Sequence, residues 1–244
     1  MKILVGISKT PDTTAKINFT NNNTEFDTNG VQFIMNLYDE WYALVRALEL
    51  TEQLGGSVTV INVGTAENDQ IIRKALAIGA NDAIRVDKSP EDALDVATQI
   101  SGHAAGYDLI MLGKETISYN DSAVGSMLAE LLNQPFISYC SHLDSNGTEI
   151  TATREIEGGS ESMTCSIPAV ISCAKGIAEQ RIPNMKGIMM AKSKPLNVVP
   201  PVSVDKRVNI DRFELPPAKQ SVKLFSPDDV ETLIRALHEE AKVI

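Results

Sequence analysis

Basic residues are in short supply: 22 Lys and Arg stand against 32 Asp and Glu, a formal charge of −10. Nucleic-acid binders concentrate positive charge on one face. Only the stretch around Lys186, Lys192 and Lys194 comes near such density, so nucleic acid is set aside as a partner. Cysteine is scarcer still. Cys140, Cys165 and Cys173 are an odd, scattered set with no C-x-x-C pair. That excludes a disulfide framework and a zinc site, and it reads as the reduced, mostly core thiols of a cytoplasmic protein. The three histidines, His103, His142 and His238, are equally scattered and offer no metal-ligand spacing. No run approaches the ~18 consecutive apolar residues of a membrane span. The apolar start MKILVGIS meets Lys9 too soon for a signal peptide and lacks a cleavage pattern.

What is present is a core-forming chain of 244 residues, 43% hydrophobic, enough for one large domain with or without an appendage. Strand and helix patterns alternate. KILVGIS (residues 2–8) predicts a buried first strand, and the polar excursion after it, with AKINFT and NNNT, predicts a hairpin. Apolar positions at helical spacing, among them Trp41, Leu44, Val45 and Leu48, predict a helix over 38–54 that stops at Gly55 and Gly56. Trp41 and Tyr42 are packing residues in this reading. Strands follow at 57–64, 82–86, 107–113 and 135–139. Helices follow at 68–78, 90–103 (with Pro90 in the first turn) and 122–132. Repeated β–α units with apolar strands predict a doubly wound, mostly parallel α/β sheet covered on both faces.

From Gly147 to Cys173 the pattern predicts antiparallel strands joined at Gly158 and Gly159. Beyond that, Pro recurs at 183, 195, 200, 201, 216, 217 and 227, and residues 193–225 show no long periodic segment. A structureless stretch of that length inside a compact domain is uncommon. The predicted division is therefore an α/β nucleotide-binding domain over 1–192 and an arm over 193–244 that wraps a partner. SPDDVETLIRALHEEAKV reads as a terminal helix, capped by Ser226, with Pro227 at its first position and Val230, Leu233, Ile234 and Leu237 on one docking face.

The stretch GKETISYNDSAVGSML (residues 113–128) is strand end, polar loop and helix start, the arrangement in which backbone N–H groups can hold an anion. A P-loop would need Gly at 108, where Asp108 stands. Two readings remain, a backbone phosphate cradle and an ordinary capped βα loop, and the local residues slightly favour the second.

Several segments together resemble the beta subunits of electron transfer flavoproteins. These are MKILVGISKTPD, NLYDEWYALVRALEL, INVG, IIRKALAIGANDAIRV, DLIMLGKETISYNDSAVGSMLAELL, REIEGG and RIPNMKGIMMAKSKPL, in order from residue 1 to about 200. The resemblance implies an adenine-nucleotide-hydrolase-like fold and a heterodimer with an alpha subunit that holds most of a redox-active FAD. It implies buried, non-redox AMP in the beta subunit. It also implies electron flow from flavin dehydrogenases, such as acyl-CoA dehydrogenases, to a quinone oxidoreductase or another acceptor, with no bond chemistry in this chain. Some relatives bifurcate electrons with a second FAD in place of AMP. A stand-alone nucleotide-binding module of similar fold is a further alternative, against which the long arm argues.

Carried over by residue, the cofactor site would comprise Gly6, Asn36, Leu37, Tyr38, Asp39, Val63, Gly113, Lys114, Asn120, Asp121, Ser122, Ala123 and Val124. Gly6 would admit adenine to the backbone, Val63 would give an apolar wall, and Asn36 would bond ribose or base. The loop would present N–H groups to phosphate, and Tyr38 would lie near the flavin edge. The partner-binding segment would be Pro183, Asn184, Met185 and Lys186, with Met185 as the inserted anchor. Glu155 and Glu157 fit a solvated edge and a partner contact equally well. The chain departs from the family at Leu37 (often Pro), at Ser118 and Tyr119 (often acidic), and at Ala123 and Val124 (often Gln and Thr). Each lost neutral hydrogen bond is worth roughly 0.5–1.5 kcal/mol, so the last pair does not abolish a buried site. Val at 124 also occurs in the bifurcating relatives.

Overall fold

The computed structural model describes residues 1–37, 39–219 and 221–244. The chain opens with β1 (Lys2–Gly6), then an excursion carrying β2 (Lys9–Pro11), β3 (Phe19–Thr20), β4 (Glu25–Phe26) and β5 (Phe33–Met35). The predicted hairpin is β3–β4, closed by Asn21, Asn22 and Asn23, all with positive φ. Asn tolerates that region better than most residues. The α/β alternation follows as α1 (Asp39–Leu54), β6 (Ser57–Val63), α2 (Asp69–Ile78), β7 (Asp82–Val86), α3 (Ala93–Ser101), β8 (Leu109–Gly113) and α4 (Val124–Leu132). Then come β9 (Phe136–Ser145), β10 (Glu149–Ile156), β11 (Gly159–Ser166), β12 (Ala169–Cys173), α5 (Met185–Ala191), β13 (Leu196–Val199) and α6 (Val230–Arg235), which runs into a π-helical segment, Ala236–Ala241.

The nine-stranded sheet has the order β11-β10-β9-β12-β8-β1-β6-β7-β13, parallel from β9 to β13 and antiparallel only at β9–β10–β11. Alternation along β1 shows why it is covered on both faces. Ile3 and Val5 join the core under α1 and α2, while Leu4 joins the core under α3 and α4, and all three are fully buried. The fold is the doubly wound, mostly parallel α/β sheet expected.

Several boundaries differ from expectation. The third helix starts at Ala93 because Asp92 caps it, accepting from Asp95 N at 2.8 Å; Pro90 lies ahead of it. β9 runs on to Ser145 through a bulge at Tyr139 (φ 56°) and so hosts the antiparallel hairpin. Ala169–Cys173 was expected in that antiparallel set but forms a parallel strand between β8 and β9, buried along its whole length and apolar except for Ser172. The sheet continues past residue 192, since Leu196–Val199 pairs in parallel with β7. The terminal helix is capped by Asp229, accepting from Thr232 N at 3.1 Å, whereas Ser226 begins a turn whose carbonyl accepts from Asp229 N.

Residues 200–229 hold no helix or strand among the described residues, yet they are tethered. The Gln99 side chain accepts from Val202 N at 2.9 Å and donates to Val202 O at 2.8 Å. Asp92 accepts from Arg207 N at 3.2 Å. Phe213 stacks on Phe19 with centroids 4.9 Å apart and donates from its N to Asn23 O. Two bonds of about 1 kcal/mol each bear on Val202, so Gln99→Ala should speed its amide exchange roughly thirtyfold and leave β7 unchanged. Hydrogen exchange with mass readout checks this; unchanged protection at 202–208 would mean that the arm is held elsewhere.

Candidate functional site

β1 feeds β6 and β7 on one side, and the chain then crosses back to lay β8 on the other side of β1. The order thus reverses between β1 and β8. In open α/β sheets that switch point opens a crevice beyond the carboxyl ends of the strands. Gly6 ends β1, Val63 ends β6 and Gly113 ends β8, so three expected site residues share this edge.

Asn36 joins them from the end of β5. It is buried, and both ends of its amide hold the following loop: Nδ2 donates to Glu115 O at 2.9 Å and Oδ1 accepts from Ile117 N at 3.2 Å. One N–H and one lone pair remain for a ligand, so its first task is to clamp the loop. Gly6 has a different reason from the expected one. A Cβ there would run into the Leu112 side chain, so a glycine is needed where β8 packs against the end of β1. A Cβ on Gly113 would lie 2.8 Å from Glu40 Cγ and 3.1 Å from Asp39 Cβ, so Gly113 admits the start of α1 to the end of β8.

That helix start carries two buried acids. Glu40 accepts from Ser8 N at 2.7 Å and from Ser8 Oγ at 2.6 Å, and burial pushes its carboxyl up to about 8 despite those bonds. Burial likewise raises Asp39 to about 6, opposed by the Lys114 ammonium. Lys114 pairs with Glu115 at 3.1 Å and feels Asp39, so its charge is largely answered within the loop.

The rest of the loop is at the surface. Asn120 and Ser122 have positive φ, Asp121 is exposed, and Leu37 packs against the core at the loop's base. Ala123 precedes α4 without a capping side chain, and the first turn of α4 holds no acid. The N–H groups at Val124, Gly125 and Ser126 thus open an uncapped helix end, which attracts anions. Tyr38, the expected flavin neighbour, lies outside the described residues.

The expected partner segment is elsewhere, beside α2. The Asn184 side chain caps α5, accepting from Gly187 N at 2.8 Å, and Gly187 lets α5 approach the Ala77 carbonyl. Pro183 and Lys186 flank an exposed apolar group of Ile182, Met185 and Met189, 77%, 74% and 69% exposed. Lys194 Nζ donates to the carbonyls of Leu76, Gly79 and Ala80, closing the α2 end. Glu155 and Glu157 are exposed at the tip of β10–β11. Trp41 is packed as expected, 5% exposed, its Nε1 donating to Arg181 O.

Sequence reasoning passed over Glu40, Tyr139 and Ser172. Glu40 stood in the quoted D-E pair, but its hydrogen-bond partner, Ser8, lies 32 residues away. Tyr139 stood at the end of the expected strand, where nothing local signals a left-handed backbone.

Sheet, switch point and loop define a class, the α/β proteins with a candidate ligand edge at the carboxyl ends of a doubly wound sheet. The comparisons are more specific. A family model described as electron transfer flavoprotein domain matches residues 24–204. The electron transfer flavoprotein subunit beta of Bacillus subtilis (strain 168) is 35% identical, with all of both chains covered. Its namesake in Dictyostelium discoideum is 32% identical over 100% of this chain and 99% of its own. The one in Homo sapiens is 30% identical over 94% and 95% respectively. The chain belongs to the electron transfer flavoprotein beta-subunit family. Its role is that of an electron carrier subunit, and the family implies an alpha-subunit partner. No helix among the described residues is long and apolar enough to cross a membrane.

Proposed function

We propose that this chain forms a heterodimer with an alpha subunit, helps to enclose an FAD held mainly by that subunit, and binds AMP at the β1–β8 switch point. FAD, when bound, supplies the one- and two-electron chemistry; this chain binds, orients and excludes water. The observation that carries the AMP reading is the uncapped start of α4, facing the loop that Asn36 clamps at the carboxyl edge of the sheet. Val124, Gly125 and Ser126 would hold phosphate by backbone, and Ser122 would add a hydroxyl. Val63 would wall the adenine side. Because Lys114 is paired with Glu115, selection rests on directed N–H groups more than on net charge.

Electrons would arrive from flavin dehydrogenases, such as acyl-CoA dehydrogenases, and leave to a quinone oxidoreductase or another acceptor. Met185, with Ile182 and Met189 beside it, offers these partners an adaptable apolar surface on a capped, rigidly seated helix. The open face of Val230, Leu233 and Ile234 would cover the alpha subunit. A cytoplasmic location accords with the reduced cysteines, two of them fully buried.

The test is the cofactor content of the co-expressed complex after acid release and chromatography. One FAD and one AMP per heterodimer is the expected result. Two FAD would replace this reading with the bifurcating one, and FAD without any second nucleotide would make the loop structural.

A further inference from the structure

Tyr139 is an aromatic residue in the middle of β9 with φ 56°, at the point where the pairing with β12 slips a residue between Ile171 and Cys173. A bulge alone does not call for tyrosine. Left-handed backbone is least strained in glycine and disfavoured for a bulky side chain, and such outliers persist only where the surroundings over-determine them. Here they do. Ser172, 4% exposed on the neighbouring strand, accepts from Tyr139 N at 3.0 Å and fixes the turn of the backbone. Released from the strand's alternation, the side chain reaches the candidate loop. Its hydroxyl donates to Ser122 Oγ at 3.1 Å, and the Lys114 ammonium stands 5.9 Å from its ring centroid. One ring therefore touches the loop near its first residue and near its last. Ser122 is itself left-handed (φ 53°) and stands two residues before α4. The N–H at 123 donates to Asp121 Oδ1 at 3.4 Å, and the direction of the N–H at 124, the first of α4, follows from that conformation.

We propose that Tyr139 is a positioning residue: acting through Ser122, it sets the left-handed turn that aims the opening N–H groups of α4 at the ligand's phosphate. This rests on the nucleotide reading above. It also says what stands in for side-chain donors in a loop with Ala123 and Val124. The backbone donors are held in place by a strand-borne hydroxyl, so the ligand is recognised without a direct side-chain contact at those two positions.

The test uses the co-expressed alpha–beta complex, freed of endogenous nucleotide and titrated with AMP. Tyr139→Phe keeps the ring and removes the hydroxyl. It should weaken AMP binding about three- to twelvefold, the worth of one hydrogen bond, with FAD content and Tm unchanged. Ser122→Ala removes this link together with the hydroxyl offered to phosphate, so it should weaken binding at least as much. The double variant should bind no worse than the weaker single one, because both remove the same link. Tyr139→Gly separates positioning from folding: it relieves the backbone, so AMP binding should fall while Tm holds or rises. AMP affinity unchanged in Tyr139→Phe, or losses that add in the double variant, overturns the proposal while the nucleotide reading stands. A wild-type complex that binds no adenine nucleotide overturns both.

Discussion

Glu40→Gln should flatten the pH dependence of stability. Glu40 is buried at the start of α1, and its carboxyl is pushed up to about 8 by burial, against Ser8 donors that favour the charge. The unfolded chain releases this proton near the ordinary value of 4.5, while the folded chain keeps it to about 8. The folded state thus binds the extra proton between those values, and stability falls as pH rises through that window. The penalty is absent below the unfolded value, grows to about 8 and is constant above. Its full size is on the order of 4 kcal/mol, part of which the amino end of α1 offsets. Glutamine keeps the contacts: its carbonyl can accept from Ser8 N and its amide can donate to Ser8 Oγ. The variant should match wild type near pH 4 and exceed it near pH 8–9 by about 8–15 °C in Tm. Melting curves across pH decide it; parallel profiles for the two proteins would show that Glu40 ionises normally in the fold. Asp39, raised to about 6, adds a smaller dependence of the same sign that remains in both.

Gly113→Val should be the most damaging single change at the site. The first added carbon would already stand 3.2 Å from the Glu40 backbone N as well as against two buried side chains, and valine adds two more. The obstruction is a helix start, not the free end of a flexible chain, so α1 must retreat from β8. Overpacking of this kind costs about 1–3 kcal/mol, which lowers Tm by roughly 3–10 °C for a chain of this size. The same retreat separates Asp39 from the Lys114 that opposes its raised value and disturbs the loop at its first residue. Nucleotide content of the complex should therefore fall along with Tm. A Tm within about a degree of wild type would mean that α1 yields freely and that the contact is not a constraint.

The sheet was legible because its strands are locally consistent: LIML is an apolar run and VTVINV a mostly apolar one, each ends at a Gly, and each meets a neighbour of the same kind. The loop ends were legible for the same reason, Gly6, Val63 and Gly113 each closing such a run. Ala169–Cys173 was misplaced because a buried strand without polar alternation carries no sign of whether its partner is parallel, and adjacency in sequence favoured the hairpin. Asn36 was picked for a ligand, yet its partners lie 79 and 81 residues away, beyond anything local spacing encodes. Lys194 sits in a basic stretch that local residues leave undefined, and only the approach of α2 reveals the three carbonyls it caps.

The place of β12 sets the order of events at the ribosome. β8 finds one neighbour early, in β1, but its other edge stays open until residues 169–173 emerge, after the whole β9–β10–β11 excursion has been made. Through that interval the nascent chain carries an unpaired apolar strand edge, the kind that recruits other chains. The antiparallel hairpin, built from near neighbours, can form within that time. β12 lies between β8 and β9, joining the two parts of the sheet, and it places Ser172 against Tyr139 N and Cys173 O against Lys114 N. Closure of the sheet and assembly of the loop base thus wait on the same strand. A chain truncated before residue 169 would lack both.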